Sequence, residues 1–240
     1  MKWKLDLHIH SEYSPDGRMS LEEILRRAGA LGLQGVAVCD HDRVLTEVPE
    51  TEGLLVISGA EFSTEYGHLL GLFLTEPIDP CPFPELVAAI HAQGGLAVMA
   101  HPFERTVSTE RLDAAVHLLD GIEVWNGRAN RKNPRANEMA AAYAEAHGLP
   151  GFGGSDAHVV QEIGNGAVTV EAEQLTPAAV KEALRRPGNP VSGVNGKAVH
   201  VAASQWTKRR KTHAGPWSYL KWTAFAGKCL LDDLKTRWRN

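Results

Sequence analysis

The start of the chain alternates two short apolar stretches with one amphipathic segment. The apolar residues 3–9 and 35–39 predict strands. Between them, residues 21–31 follow a helical period, and Ser20 and Glu23 have the spacing of a capping box, which starts a helix. The order strand, helix, strand predicts a βαβ unit with parallel strands.

The same alternation continues along the chain. We predict further strands at residues 54–57, 68–73, 96–99, 121–125, 151–154 and 167–170, and further helices at residues 84–93, 134–147 and 177–186. Pro134 in the first turn and Gly148 beyond the last turn mark the ends of one of these helices. Strands that alternate with helices are typical of a mainly parallel sheet, and about seven of them in this length favour an α/β barrel.

Composition places the chain among globular proteins with a real core. Of its 240 residues, 43% are hydrophobic and 22% are charged, which excludes disorder, collagen and a disulfide scaffold. No apolar run is long enough to span a bilayer, and the N-terminus lacks the core of a signal peptide. Three widely spaced cysteines fit reduced thiols. We therefore expect a cytoplasmic protein.

The charge is distributed unevenly between the body and the C-terminal tail. The net charge is −4, but residues 206–240 carry nine Lys or Arg against two Asp, a net +7, which leaves −11 on residues 1–205. The tail also holds Trp206, Trp217, Trp222 and Trp238. Such a segment could bind nucleic acid or an anionic membrane surface. We expect instead a barrel domain at 1–195 and an extension at 196–240 that packs on the barrel or on a partner, because an acidic body and a basic tail attract each other.

Histidines and acids stand where the predicted strands end. Successive side chains of a strand alternate between its two faces, so His8 and His10 share one face with Asp6. Asp16 also follows this first strand. The ligand-type side chains at the ends of later strands are Asp40, His41, Asp42, Glu61, His101, Asp156 and His158, with His68 at the start of a strand. The carboxyl ends of barrel strands share one rim, so we expect these side chains to meet there.

The number of these groups, rather than any one of them, predicts a metal site. A single buried histidine is more often a hydrogen-bonded core residue than a ligand. Burying so many ionisable groups without cations would be costly, and a metal cluster removes that cost. Imidazole and carboxylate donors without thiolate suit Zn, Mn or Fe(II).

Six motifs carry the candidate ligands. They are DLHIHSEYSPDG, CDHD, GAEFS, GHLLGLF, AHP and GGSDAH, in this order between residues 4 and 192. Together they resemble the PHP family, which is named for polymerase and histidinol phosphatase. The resemblance implies a distorted (β/α)7 barrel that holds two or three divalent metal ions of Mn, Zn or Fe, a trinuclear site when full.

The resemblance also implies which side chains hold each metal. One metal would be bound by His8, His10, Glu61 and Asp156, a second by Glu61, His68 and His101, and the third by Asp16, His41 and His158. Glu61 would therefore bridge the first two metals. Within this set, we expect Glu61, His101 and Asp156 to form the catalytic centre.

The reaction expected of such a cluster is hydrolysis of a phosphate ester. A hydroxide that bridges two cations is available near neutral pH and can attack phosphorus in line. We predict a metal-dependent phosphoesterase that acts on a small phosphorylated metabolite or a nucleotide. Asp6, Asp40 or Asp42 would orient ligand histidines or protonate the leaving alcohol. Arg128 and Arg131 are candidates for binding the substrate phosphate, unless they belong to a solvated loop.

Other functions fit parts of the sequence. The basic tail would suit a nuclease that acts on short oligonucleotides, and a C–N hydrolase would direct the same attack at a carbonyl carbon. In a third alternative, the metals only stabilise a binding or scaffold module. We expect a small phosphorylated substrate rather than nucleic acid, and no membrane span; the sequence does not fix the oligomeric state.

Overall fold

A computed structural model describes residues 1–105 and 109–237, and Trp238 of the tail lies outside the described residues. Within these ranges the chain forms nine strands: β1 (Lys2–Ile9), β2 (Gly35–His41), β3 (Leu55–Thr64), β4 (Gly67–Leu72), β5 (Leu96–Ala100), β6 (Gly121–Asn126), β7 (Gly151–Gly154), β8 (Gly166–Glu171) and β9 (Val191–Gly193). The α-helices are α1 (Leu21–Ala30), α2 (Phe83–Ala92), α3 (Thr109–Asp113), α4 (Ala136–Ala146), α5 (Pro177–Leu184), α6 (Ala198–Lys211) and α7 (Pro216–Arg237).

Local capping explains where two of the helices start. The Ser20 side chain accepts a hydrogen bond from the Glu23 N–H at 3.2 Å, and the Glu23 carboxylate accepts one from the Ser20 N–H at 3.0 Å. This confirms the predicted capping box before α1. At α5, the Thr176 hydroxyl accepts from the Ala179 N–H at 3.3 Å, and proline occupies the first turn.

One mixed sheet contains the strands, in the order β7-β6-β5-β4-β3-β2-β1-β8-β9 within the described ranges. Strands β1, β2 and β3 are parallel neighbours, as are β5, β6 and β7, but β4 is antiparallel to both β3 and β5, and β8 is antiparallel to β1. The prediction of a mainly parallel sheet was therefore wrong. Its physical reason is that β3 continues past Glu61 and turns back through Glu65 and Tyr66, which leaves no room for a helix before β4.

The edge strand β7 approaches β1, the seventh strand of this order. Ile9 forms a parallel bridge with Ala157, just beyond β7, and the His10 N–H donates to the Ala157 carbonyl at 2.8 Å. Strands β1 to β7 thus make a nearly closed barrel, which confirms the predicted distorted α/β barrel. As a consequence, the carboxyl end of β1 lies beside the residues that follow β7.

Apolar side chains cover both sides of the sheet. Leu5 and Leu7 of β1 lie in one buried cluster with Val180 of α5, and Ile24 of α1 lies in another with Val36 of β2. A third cluster collects the inner faces of α2 and α4. Each large aliphatic side chain buried in this way contributes roughly 1.5–3 kcal/mol to the free energy of unfolding.

The last two helices, α6 and α7, form a helical hairpin that is held together by specific hydrogen bonds. The Trp222 indole N–H donates to the Ala202 carbonyl at 2.8 Å. The Asp233 carboxylate accepts from the N–H groups of Ala198 and Val199 at 2.7 and 2.9 Å, and so caps the start of α6 from α7. The domain boundary at residue 195 stays a prediction. In the described part of the chain, the helices lack an apolar segment of the length that would cross a membrane.

The close approach of β7 to β1 predicts that Gly154 is needed at its position. A Cβ there would lie 2.3 Å from the His8 Cβ and 2.8 Å from Glu123 Oε1. Because both neighbours are buried, we expect Gly154→Ala to lower the free energy of unfolding by about 1–3 kcal/mol, measured by urea denaturation. The control is Gly29→Ala in α1, whose new Cβ meets nothing within 4 Å and which should be neutral or stabilising. Equal losses in the two variants would contradict the packing argument.

Candidate metal centre

His8 and His10 place two imidazoles at the carboxyl end of β1. Both side chains are completely buried, and their Nε2 atoms are 3.1 Å apart. Two imidazole nitrogens at this distance point at the same small volume. The face that the two-residue period assigns to these histidines is therefore the one that carries the site.

Glu61 of β3 lies at the centre of the histidines. Its Oε1 is 2.8 Å from His68 Nδ1 and 3.0 Å from His101 Nε2, and its Oε2 is 2.9 Å from His41 Nδ1. The strand register produces this arrangement, because His41 pairs with Glu61 across β2 and β3, and His68 pairs with Ala100 across β4 and β5. The antiparallel β4 thus brings its first residues to the rim where the parallel strands end.

Two further carboxylates complete the cluster. Asp156 Oδ1 lies 3.3 Å from His10 Nε2 and 3.5 Å from His158 Nδ1. Asp16 Oδ1 lies 3.3 Å from His158 Nε2 and 3.5 Å from His41 Nε2. The structure therefore brings together all nine residues that the sequence nominates as metal ligands.

The backbone is unusual at three residues of this rim. His101, Asp156 and Asp42 have φ values of 28°, 54° and 51°, in the left-handed region that side chains other than glycine rarely adopt. Such conformations persist where the surrounding structure fixes them, and they cluster at functional sites. The Asp42 N–H donates to the Glu61 carbonyl at 3.0 Å, and the His101 N–H donates to Glu123 at 2.9 Å, which fixes two of the three.

Hydrogen-bond acceptors on the far side of three imidazoles determine which nitrogen faces the cluster. Glu123 Oε1 lies 3.0 Å from His8 Nδ1, and the Asp156 carbonyl oxygen lies 2.9 Å from His158 Nδ1, so each Nδ1 carries the proton. The Ser14 hydroxyl donates to Asp40 at 2.5 Å and therefore accepts from His10 Nδ1 at 3.0 Å. In the neutral form of each of these three histidines, Nε2 therefore directs its lone pair into the cluster.

The charges of these groups depend on one another. Burial raises the pKa of the Glu61 carboxyl, but the charge of His8 and hydrogen bonds from His101 and His41 outweigh it and hold the pKa well below its usual range. Burial likewise lowers the pKa of His8, but the charges of Glu123 and Glu61 outweigh it and raise that pKa well above its usual range. The carboxylates are thus ionised, and the positive charge that they attract is supplied by protons on histidine.

The donor set fits divalent cations. Three overlapping groups of ligand atoms each lie within 4.8 Å of one another: His10, His41 and His158; His8, His10 and Asp156; and His8, Glu61 and His101. Asp16 Oδ1 is buried and has no hydrogen-bond partner among the described residues, so it has a coordination position to offer. Neutral imidazole and carboxylate are the ligands that Zn, Mn and Fe(II) accept, and a bound cation would replace the protons on histidine.

The sequence interpretation overlooked Glu123. This residue of β6 is 1% exposed, and its carboxylate contacts His8 Nδ1, the His101 N–H and, at 2.9 Å, the Asn126 side-chain amide. A carboxylate on the outer nitrogen of a ligand histidine fixes the ring and raises its basicity. The signal was present in the sequence, because an acid within the apolar segment Gly121–Asn126 has to be buried with a partner.

The three aspartates proposed as orienting or proton-donating groups are placed differently from one another. Asp40 accepts from the hydroxyls of Ser11 and Ser14, both at 2.5 Å, and so supports His10 through Ser14. Asp6 accepts from the N–H groups of Ser155 and Gly164, each at 2.8 Å, and burial raises its pKa to about 6. Asp42 is exposed at the cleft above the cluster.

Arg128 and Arg131 both line this cleft. The Arg128 guanidinium donates to both oxygens of the buried Glu162 carboxylate, at 2.8 and 2.5 Å, so its charge is paired. Glu162 in turn accepts from the His158 N–H at 3.0 Å. Arg131 contacts Cys229 Sγ at 3.6 Å and stacks over the Phe225 ring at 5.2 Å, and no carboxylate among the described residues pairs with it.

Comparison with known proteins shows which sequences and folds the chain is similar to. In sequence, the chain is 38% identical over 140 residues to an uncharacterised protein of Methanocaldococcus jannaschii, covering 51% of this chain and 81% of that protein. It is 31% identical over 135 residues to a 5'-3' exoribonuclease of Haemophilus influenzae, covering 50% of this chain and 47% of the relative. In structure, it is similar to a two-domain protein from Bacteroides vulgatus that contains a predicted PHP-like metal-dependent phosphoesterase, with a TM-score of 0.63 and 19% identity over 86% of this chain and 70% of the other.

Two family models match the chain. The model of a PHP-associated region matches residues 134–187, and the model of the PHP domain itself matches residues 6–149. The PHP-domain match includes seven of the nine clustered residues. The other two, Asp156 and His158, lie within the match to the PHP-associated region. The two matches together cover all nine clustered residues. Because the PHP-domain match alone spans more than half of the sequence, the chain belongs to the PHP family.

Proposed function

We propose that this protein hydrolyses a phosphate ester of a small phosphorylated metabolite or a nucleotide. The observation that carries the proposal is the convergence of nine residues with nitrogen or oxygen donors, Glu61 among them, at a rim that opens into a cleft. Membership of the PHP family together with this complete donor set makes the protein a metal-dependent hydrolase of the phosphoesterase type. The substrate and the site residues below are our proposal.

We assign the donors to two or three divalent ions of Mn, Zn or Fe. The proposed groups are His8, His10, Glu61 and Asp156; Glu61, His68 and His101; and Asp16, His41 and His158. Of the three ligand-atom groups in the described residues, His8, His10 and Asp156 all belong to the first proposed site. Each of the other two groups takes members from two proposed sites. The central position of Glu61, which reaches His8, His10, His41, His68 and His101, supports its role as the bridging carboxylate.

The cations supply two things when bound: a lower pKa for water and neutralisation of charge on the phosphate. The side chains of the protein position the cations and the reacting groups. Glu61, His101 and Asp156 fix the geometry of the catalytic centre, and Glu123, Ser14 and the Asp156 carbonyl hold the ligand imidazoles in one tautomer. Asp42 stands at the cleft and could take part in proton transfer to the leaving alcohol.

The cleft also provides cations for phosphate groups of the substrate. Arg131 has a guanidinium without a carboxylate partner in the described part of the chain, and its planar fork suits phosphate oxygens. Arg128 lines the same cleft with its charge paired to Glu162, so it contributes a fixed cation and also supports the segment that carries His158.

A nuclease is the second candidate function. Its support is the similarity of half of this chain to a protein named as a 5'-3' exoribonuclease, together with the basic residues along the cleft. The two candidates differ in what they cleave. Release of phosphate from free nucleotides and sugar phosphates supports the first, whereas shortening of oligonucleotides without activity on free nucleotides supports the second.

Removal of metal or of the central carboxylate is expected to abolish hydrolysis. We expect the Mn²⁺-loaded protein to release nitrophenol from p-nitrophenyl phosphate, and chelation with EDTA to stop the reaction until Mn²⁺ is restored. Glu61→Gln should lower kcat/KM by at least about a hundredfold because it removes the shared negative ligand. Glu182→Gln, an exposed position, is the control and should keep the wild-type rate. An EDTA-treated protein that retains its rate would refute the proposal.

Glu123→Gln tests the support of the ligand histidines separately from the ligands themselves. The amide keeps the shape of the side chain but loses the charge that holds the proton on His8 Nδ1. We expect the affinity for Zn²⁺, measured by competition with a chromophoric chelator, to fall about 10–100-fold. The exposed Glu173→Gln is the control. Unchanged affinity in Glu123→Gln would show that the carboxylate does not act through His8.

A further inference from the structure

The cleft above the cluster has two walls of different origin. One wall is the barrel rim with His41, His68 and His101, and the other is formed by α6, α7 and the turn Ala129–Arg131. The volume of the cleft is about 990 Å³. Pockets of roughly 300–1,000 Å³ bind small organic molecules, so this space exceeds what one phosphate group needs.

The second wall is held firmly over the rim. The Lys211 ammonium at the end of α6 donates to the carbonyl oxygens of Ser14 and Gly17 at 2.8 and 2.7 Å, and also to that of Glu12. These carbonyls belong to the loop that carries Asp16. Lys211 thus fixes α6 to the metal-ligand loop and sets the width of the cleft.

Several cations of this wall have no anionic partner in the described ranges. Arg131, Lys208, Arg209 and Lys221 line the cleft, and the ion pairs of the structure do not include them, although Lys132 on the same side pairs with Glu104 at 2.8 Å. The Arg209 guanidinium is fixed by the carbonyls of Ser218 and Gln205, at 3.0 and 2.8 Å, which leaves its charge uncompensated. Like charges on one wall repel each other unless an anion lies between them.

The helix dipole does not explain this set. Cations in the last turn of a helix are favourable, which accounts for the four basic residues 208–211 of α6 as a group. It gives no reason for Lys221, which lies near the N-terminal end of α7, or for Arg131, which lies in a short 3-10 turn. These residues come from three separate elements and share only the cleft.

We propose that Arg131, Lys208 and Lys221 form a second anion subsite, which binds a phosphate group of the substrate other than the one that is hydrolysed. This inference rests on the proposed function and narrows its substrate class to phosphate esters that carry a second phosphate. Phe225 and Val201, which also line the cleft, supply apolar surface for the organic part between the two phosphates. Two of the three subsite residues, Lys208 and Lys221, lie on helices beyond residue 187, where the matches to the family models end.

The test compares substrates with one and two phosphates. We expect the wild-type protein with Mn²⁺ to have a lower KM for fructose 1,6-bisphosphate than for fructose 6-phosphate. The double variant K208M/K221M should raise KM for the bisphosphate about tenfold or more, with kcat little changed, because it removes two charged donors from the second phosphate group. Its kinetics on fructose 6-phosphate should stay within about twofold of wild type, since that substrate leaves the subsite empty.

A matched control uses two basic residues of the same helices. R210M/K235M removes the same net charge at exposed positions that are not among the described residues lining the cleft, and it should behave as wild type. Equal losses in the two double variants would reduce the effect to general electrostatics and overturn the subsite. A parallel comparison of a 5'-phosphorylated dinucleotide with the mononucleotide shows whether the second phosphate belongs to a nucleic-acid backbone or to a small metabolite.

Binding separates the subsite from the hydrolytic activity. Isothermal titration calorimetry of fructose 1,6-bisphosphate into the Mn²⁺-loaded proteins measures the binding affinity and does not require that the substrate be hydrolysed. If wild type releases phosphate from no substrate, the proposed function fails, but weaker binding by K208M/K221M alone still supports the subsite. Activity on monophosphates with equal binding of the bisphosphate by both double variants overturns the subsite and leaves the proposed function standing.

Discussion

The structure depends on burying many imidazoles and carboxylates in one place without leaving their charges unbalanced. A buried ion is tolerated only when it is paired and hydrogen-bonded, and Glu61 meets this condition by contacting five histidines. Each imidazole that turns its Nε2 inward needs an acceptor on its outer nitrogen, which explains why Glu123 and the pair Ser14–Asp40 are buried as well. The polar network therefore includes a second set of buried side chains outside the clustered histidines and carboxylates.

The barrel is distorted where this network requires it. In a regular α/β barrel, each strand–helix unit places one strand end at the rim. Here the β3–β4 hairpin places two residues at the rim, Glu61 from within β3 and His68 from the start of β4. The left-handed backbone at His101 and Asp156 turns these side chains into the cluster at the point where their strands end. Strain at these residues is offset by the hydrogen bonds and charges that the cluster provides.

The sequence predicted the barrel and the clustering of histidines and acids at its rim because both follow from local patterns. The two-residue period of β1 separates His8 and His10 from the leucines, and strand ends are readable as changes from apolar to polar residues. The antiparallel β4 was not predictable in this way, since a hairpin and a helical crossover leave the same apolar pattern in the strands. Glu123 was missed because its role depends on a partner 115 residues away, His8, which only the fold brings within 3.0 Å.

The C-terminal helices affect the site through one lysine. Ordering a lysine side chain costs roughly 1.5–2 kcal/mol of rotamer entropy, and each hydrogen bond from a charged donor returns about as much. Lys211 makes three such bonds to one irregular loop, so the contact favours docking of α6 and at the same time fixes the backbone that carries Asp16. Because one interaction does both, the position of the basic wall and the geometry of a ligand loop cannot change independently. Lys211 therefore links the position of the extension to that of the loop with Asp16.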